Sequence, residues 1–138
     1  MMPMLSLDHV SIVVTDLDHS IRFYEDMFGL RQVPRPAFTI PGAWLACGPL
    51  QIHLVLNAAG TFRTRAGIDN GDVHFAFRTD DFEGVLAHLA ERGFDEHAPA
   101  DALNHLFVLR NGRAGYPQLY LLDPDRNIIE INGAPIRP

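Results

Sequence analysis

The chain has 138 residues, 47% of them hydrophobic, with 11 basic against 17 acidic side chains and a formal net charge of -6. That is material for one ordinary core, or two small modules sharing one sheet, and the scattered basic residues argue against a nucleic-acid footprint or an anionic-membrane patch, leaving small-molecule or protein partners, a small-molecule substrate first among them. The single cysteine, Cys47, cannot close an internal disulfide, "MMPMLSLDHV" has no signal-peptide pattern, and no apolar run approaches the roughly 20 residues of a membrane helix, so a soluble cytoplasmic protein is expected.

The first unit is "LDHVSIVV", which alternates: Leu7, His9, Ser11 and Val13 fall on one face of a strand, and Val10, Ile12 and Val14 on the other. In "TDLDHSIRFYEDMFG", Leu17, Ile21, Tyr24 and Phe28 recur at helical spacing, with Asp16 placed to cap the first turn and Gly29 to close the last. "LRQVPRPAFTI", "AWLACG" and "QIHLVLN" follow as short apolar or alternating runs broken by Pro and Gly, the pattern of a β-meander. Cys47, beside a turn, reads as a small buried hydrophobe.

"AAGTFRTRAGIDNG", residues 58–71, has no sustained period and reads as a linker or mobile loop, long enough for the second module to pair with its own first module or with that of a second chain in a homodimer. Then "DVHFAFRTDDFEGVLAHLAERGF" repeats strand and helix, with Phe82, Leu86 and Leu89 on the helix face and Gly93 at its end. His74 follows His9 by 65 positions, and the same offset carries Asp16 to Asp81, Leu17 to Phe82 and Ile21 to Leu86, an internal duplication. "NHLFVLRN", "YPQLYLLD" and "NIIEING" supply the remaining strands, with "DPDRN" as the last turn. The expected fold is α+β: two tandem βαβββ modules, about 5–57 and 72–133, forming a cupped, mostly antiparallel sheet with helices on its outer face.

Alternation places the chemistry. His9 and His74 share their strand faces with the small residues Ser11 and Ala76, opposite the apolar faces Val10/Ile12/Val14 and Val73/Phe75/Phe77. In the last strand of each module His53 stands opposite Ile52/Leu54/Leu56, and Glu130 opposite Ile129/Ile131. Four groups are thus expected to converge on the helix-free face. Three imidazoles and a carboxylate suit one divalent transition metal per site (Zn, Ni, Co or Fe(II)) and suit Ca or Mg poorly. A metal-free, salt-bridged cluster is the competing reading. Phe38, Trp44 and Tyr120 are candidate pocket walls, and His105 in "NHLFVL" a candidate substrate contact. Arg35 and Arg110 are candidates to meet an anionic substrate group, with surface placement the default reading, and His19, His88 and His97 read as surface residues.

The segments "LDHVSIVVTDLDHSIRFYEDMFGL", "GAWLACGPLQIHLVLN", "DVHFAF" and "QLYLLDPDRNIIEING" resemble the vicinal oxygen chelate superfamily, which includes glyoxalase I, extradiol dioxygenases, methylmalonyl-CoA epimerase, fosfomycin-resistance thiol transferases and metal-free bleomycin-resistance binders. The likeness is closest to glyoxalase I-like single-chain members. It implies that His9, His74 and Glu130 are the metal triad, and it puts His53 on a fourth ligand position that is often Glu or Gln. Arg126 stands where the family's turn usually has Gly.

The resemblance implies a metal-dependent lyase or isomerase that holds its substrate through two adjacent oxygens, with Glu130 as ligand and base and His53 as ligand or partner acid. A non-haem Fe(II) dioxygenase using His9, His74 and Glu130 is the alternative, and a non-catalytic drug or metabolite binder the third.

Overall fold

The computed structural model describes residues 1–134. It divides into two compact units, Met1–Phe62 and the chain from Arg63 onward. In the first, β1 (His9–Val14) leads into helix α1 (Leu17–Phe28), followed by β2 (Arg31–Val33), β3 (Gly42–Cys47) and β4 (Leu50–Leu56). In the second, β5 (His74–Arg78) leads into α2 (Phe82–Glu91), then β6 (Phe107–Leu109), β7 (Gln118–Leu122) and β8 (Ile128–Asn132). Both are βαβββ, as expected, and each carries its own four-stranded sheet, ordered β1-β4-β3-β2 and β5-β8-β7-β6. In each sheet the first and last strands of the module pair in parallel and the remaining neighbours are antiparallel. The class is α+β with two tandem modules.

The helices start and stop where local chemistry directs. Asp16 accepts a hydrogen bond from the His19 amide at 3.1 Å, and Gly29, at φ 66°, turns its N–H back to Glu25. Asp81 accepts from the Gly84 amide at 2.9 Å, and Gly93, at φ 94°, follows the end of α2. The buried stripe of α1 differs from the expected one: Ser20, Phe23 and Tyr24 are buried, while Leu17, Ile21 and Phe28 are only partly so. Phe23 stands edge-on to Tyr24 at 5.1 Å, so the aromatic pair rotates the helix toward itself.

One face of each sheet is apolar and buried. Ala43, Leu45, Ile52 and Leu54 are buried in the first, Leu119, Leu121, Ile129 and Ile131 in the second. Each large aliphatic side chain so placed contributes about 1.5–3 kcal/mol. Val73 is an exception to the expected apolar face of β5: it precedes the strand and is exposed.

The segment read as a mobile linker is tied down over its second half, and that half belongs to the second unit. Arg63 pairs with Asp72 at 2.7 Å, and Arg65 pairs with Asp69. Ile68 packs on the cluster of Tyr120, Leu122 and Ile128. Arg126, in the β7–β8 turn at φ 66°, donates to the carbonyls of Ala66 and Asp101 at 2.6 and 2.9 Å, so the residue in the glycine position of that turn clips two loops together.

Candidate metal and substrate site

Strand pairing reproduces the duplication at the level of register. Ser11 pairs with His53 across β1 and β4, and Ala76 pairs with Glu130 across β5 and β8, so His53 and Glu130 hold equivalent places in the two modules. Their antiparallel neighbours, Trp44 and Tyr120, are equivalent too. Each unit thus sets a first-strand histidine beside a last-strand functional group, with an aromatic residue on the far side. Among the described residues, no group of three or more His, Cys, Asp or Glu side chains is arranged to hold a metal ion. Within each unit the expected ligands come as a pair.

In the first unit the rings of His9, His53 and Trp44 stand on three adjacent strands and stack, with centroids 3.9 Å apart between His9 and His53 and 4.4 Å apart between His53 and Trp44. Phe38 continues the row at 6.0 Å from Trp44. The histidine nitrogens are oriented by neighbours: His9 Nδ1 donates to the Asp8 carboxylate at 2.7 Å, and His53 Nε2 donates to Gln51 Oε1 at 2.8 Å. On these partners the lone pairs left free are Nε2 of His9 and Nδ1 of His53. Burial, then the neighbouring His9, pushes the His53 pKa down, so the ring is neutral at pH 7.

In the second unit His74 Nδ1 donates to the Asp72 carbonyl at 2.7 Å, and His74 Nε2 lies 3.1 Å from Glu130 Oε1. Glu130 is buried and receives further hydrogen bonds from Tyr120, Asn132 and, at 3.5 Å, Gln118. Burial raises its pKa, but the donors Tyr120 and Asn132 and the nearby His74 outweigh burial and hold the carboxyl below its usual range. Burial, and then the bond to Glu130, pushes the Tyr120 phenol up to about 12, so Tyr120 remains a donor.

One imidazole and one carboxylate are the donor types a divalent transition metal takes, and each unit brings together a pair of the expected ligands rather than a closed cluster. With the proton of His74 on Nδ1, its Nε2 lone pair faces a carboxylate oxygen, two acceptors that only a cation, proton or metal, reconciles. His9 likewise has its Nδ1 taken by an acceptor, the Asp8 carboxylate.

His105 lies outside β6, in an isolated bridge with Asp95, because the expected strand begins only at Phe107; its Nδ1 is buried without a hydrogen-bond partner among the described residues. Phe107 takes the place beside Tyr120 instead, at 5.9 Å. Reading the sequence alone missed the orienting shell of Asp8, Gln51, Asp72, Gln118 and Asn132. Alternation does put Gln51 on the His53 face and Asn132 on the Glu130 face, so those two were within reach. The Asp72 contribution is a backbone carbonyl, which no side-chain pattern marks.

The model of the Glyoxalase/Bleomycin resistance protein/Dioxygenase superfamily matches residues 6–131. Glyoxylase I 4 of Arabidopsis thaliana is 30% identical over 128 residues, 91% of this chain and 69% of that protein. Glutathione transferase FosA of Serratia marcescens is 25% identical over 127 residues, 92% of this chain and 79% of that protein. Among solved structures, a glyoxalase family protein from Bacillus anthracis superposes with a TM-score of 0.75 at 20% identity, covering 96% of this chain and 98% of that one. With a match running from before the first strand into the last, the chain belongs to the glyoxalase/bleomycin resistance protein/dioxygenase superfamily.

Proposed function

We propose that the protein is a divalent-transition-metal enzyme of the glyoxalase I type, a lyase or isomerase acting on a small substrate held through two adjacent oxygens, with His9, His53, His74 and Glu130 as the ligand set. The observation that carries this reading is the His74–Glu130 pair, in which His74 Nδ1 is taken by the Asp72 carbonyl and Nε2 lies 3.1 Å from Glu130 Oε1. A Zn, Ni, Co or Fe(II) ion held by these donors supplies Lewis acidity to the two oxygens and acidifies the adjoining C–H.

The residues divide the proton work. Glu130 is ionised at neutral pH and is the acceptor for the C–H proton, with Tyr120 and Asn132 fixing its position. His53 is neutral, its Nδ1 lone pair is free because Nε2 is committed to Gln51, and it serves as ligand or as the partner acid and base. Phe38, Trp44, Tyr120 and His105 are the proposed substrate contacts, and the assembly is a homodimer.

The test is elemental analysis of protein purified without chelator, beside a His9→Ala/Glu130→Ala double variant. About one equivalent of Ni, Zn or Co per site in the parent alone, with turnover of 2-oxoaldehyde–thiol adducts, is expected. Unchanged turnover in a metal-retaining Glu130→Ala variant would overturn the role of Glu130. Mixing His9→Ala chains with Glu130→Ala chains tells whether one site draws on two chains, since only shared sites regain metal on mixing.

One observation favours a second reading. Glu130 is held by four neighbours, the arrangement of a carboxylate that stays a ligand, and with His9 and His74 it makes the two-histidine, one-carboxylate set of a non-haem Fe(II) dioxygenase. Iron in the analysis together with O₂ uptake on a catecholic substrate would select it.

A further inference from the structure

Arg35 follows β2 and lies over Gly42, continuing the β2–β3 register on the face that carries Trp44 and His53. Its guanidinium is fixed from three sides. Nη2 donates to the Ile40 carbonyl at 2.8 Å, the Phe38 ring lies 4.7 Å from the guanidinium carbon, and Gly42 leaves the space beneath, where a Cβ would come within 3.0 Å of Nη2. Nε is buried without a hydrogen-bond partner. No ion pair involving Arg35 is found among the described residues, whereas Arg63, Arg65 and Arg110 each meet a carboxylate. A half-buried, immobilised guanidinium with no counter-ion among the described residues is a site made ready for an anion.

The surroundings define the rest of the ligand. Arg35 borders an open cleft of about 600 Å³ with Val33, Pro34, Pro36 and Gly42. Beside it the ring row runs from Phe38 through Trp44 to His53 and His9. We propose that this cleft binds the anionic end of the substrate, a carboxylate or phosph(on)ate paired with Arg35, while an apolar or aromatic body lies against Phe38 and Trp44. The reacting end of such a molecule then points along the row toward His53. The inference rests on the reading of the His9–His53 end as catalytic, but anion binding is read without turnover. Failure here leaves the metal reading intact, and a metal-free protein would leave the cleft standing.

Trp44 is the chain's single tryptophan, so its fluorescence reports the cleft directly. The experiment titrates phenylphosphonate, benzoate and neutral benzamide into the full-length protein and into Arg35→Met and Arg35→Lys variants. Saturable change with the anions is expected, weaker by about tenfold or more in Arg35→Met, as loss of a charge-assisted pair requires, and by about threefold in Arg35→Lys, which keeps the charge without the planar fork. Tighter binding of phenylphosphonate or of benzoate supports the proposal and names the headgroup. Benzamide binding as well as benzoate, no anion response, or equal affinity in the Arg35→Met variant would overturn it. Far-UV circular dichroism checks that variant's fold; if it does not fold, the Arg35→Lys loss decides, and undiminished anion binding there refutes the assignment.

Discussion

Replacing Tyr120 by Phe isolates the hydroxyl that holds Glu130. The ring packs with Leu122 and Ile128 and stands edge-on to His74 at 5.6 Å, and phenylalanine keeps those contacts. What goes is one donor to a buried carboxylate and one acceptor for Asn70. A hydrogen bond to a charged group is worth about 1.5–3 kcal/mol, and because His74, Asn132 and Gln118 remain, a loss of about 2 kcal/mol at pH 7 is expected. At about 3 °C per kcal/mol for a chain of this size, Tm falls by about 6 °C. The pH dependence gives the sharper test. The pKa of Glu130 is depressed by folding, so its stabilisation is present above the ordinary carboxyl range and is lost as pH falls through the lower folded value. Without Tyr120 that folded value rises. The gap between the two proteins is therefore full at neutral pH and narrows toward about 1 kcal/mol, a neutral hydrogen bond, in acid. Denaturant unfolding at neutral pH and near pH 3, followed by circular dichroism, measures both. An equal gap at the two pH values would show that the hydroxyl does not act on the carboxylate.

Gly42→Ala puts a Cβ within 2.4 Å of the Leu54 carbonyl, so β3 must shift and a loss of about 1–3 kcal/mol is expected in thermal melts; parental stability would show that β3 and β4 do not approach as described. The lowered pKa of His53 means that the unfolded chain binds its proton more readily, so stability should fall as pH drops below about 6.5, the ordinary histidine value. A His53→Gln variant should lack that part of the slope, and an unchanged profile would remove His53 as its source. Arg126→Gly relieves the positive φ but releases Ala66 and Asp101, so stability should change by less than about 1 kcal/mol while trypsin cuts faster at Arg63 and Arg65. Unaltered cleavage would mean that Arg126 does not secure that segment.

Much of the fold was legible because it rests on local rules. Alternation in "LDHVSIVV" and "QIHLVLN", caps at Asp16 and Asp81, and the repeated offset from His9 to His74 all have counterparts in the strands, helices and registers. The equivalence of His53 and Glu130 follows from the same alternation, once the two strands pair in parallel. The edges of the reading failed where tertiary contacts decide. Phe23 displaced Ile21 from the core of α1 because Tyr24 and Phe28 offered it aromatic partners. Residues 63–71 looked mobile because their restraints leave no periodic pattern: a local pair of Arg63 with Asp72, and bonds and packing from Arg126 and the Tyr120 cluster, far away in sequence. For Arg35 the sequence leaves surface placement and contact with an anionic group side by side, and its packing over Gly42 and Phe38 is visible only in the fold.

β4 and β8, the last strands of their modules, are not edge strands: each sits between the module's first strand and its meander. Neither the parallel ladder with β5 nor the antiparallel ladder with β7 exists until residues 128–132 are in place between them. Glu130 arrives on the strand that closes the sheet, fifty-six positions after His74. The strand that joins the two ladders of the second sheet is thus the one that sets the carboxylate beside His74, so sheet closure and the pairing of these two groups depend on the same five residues.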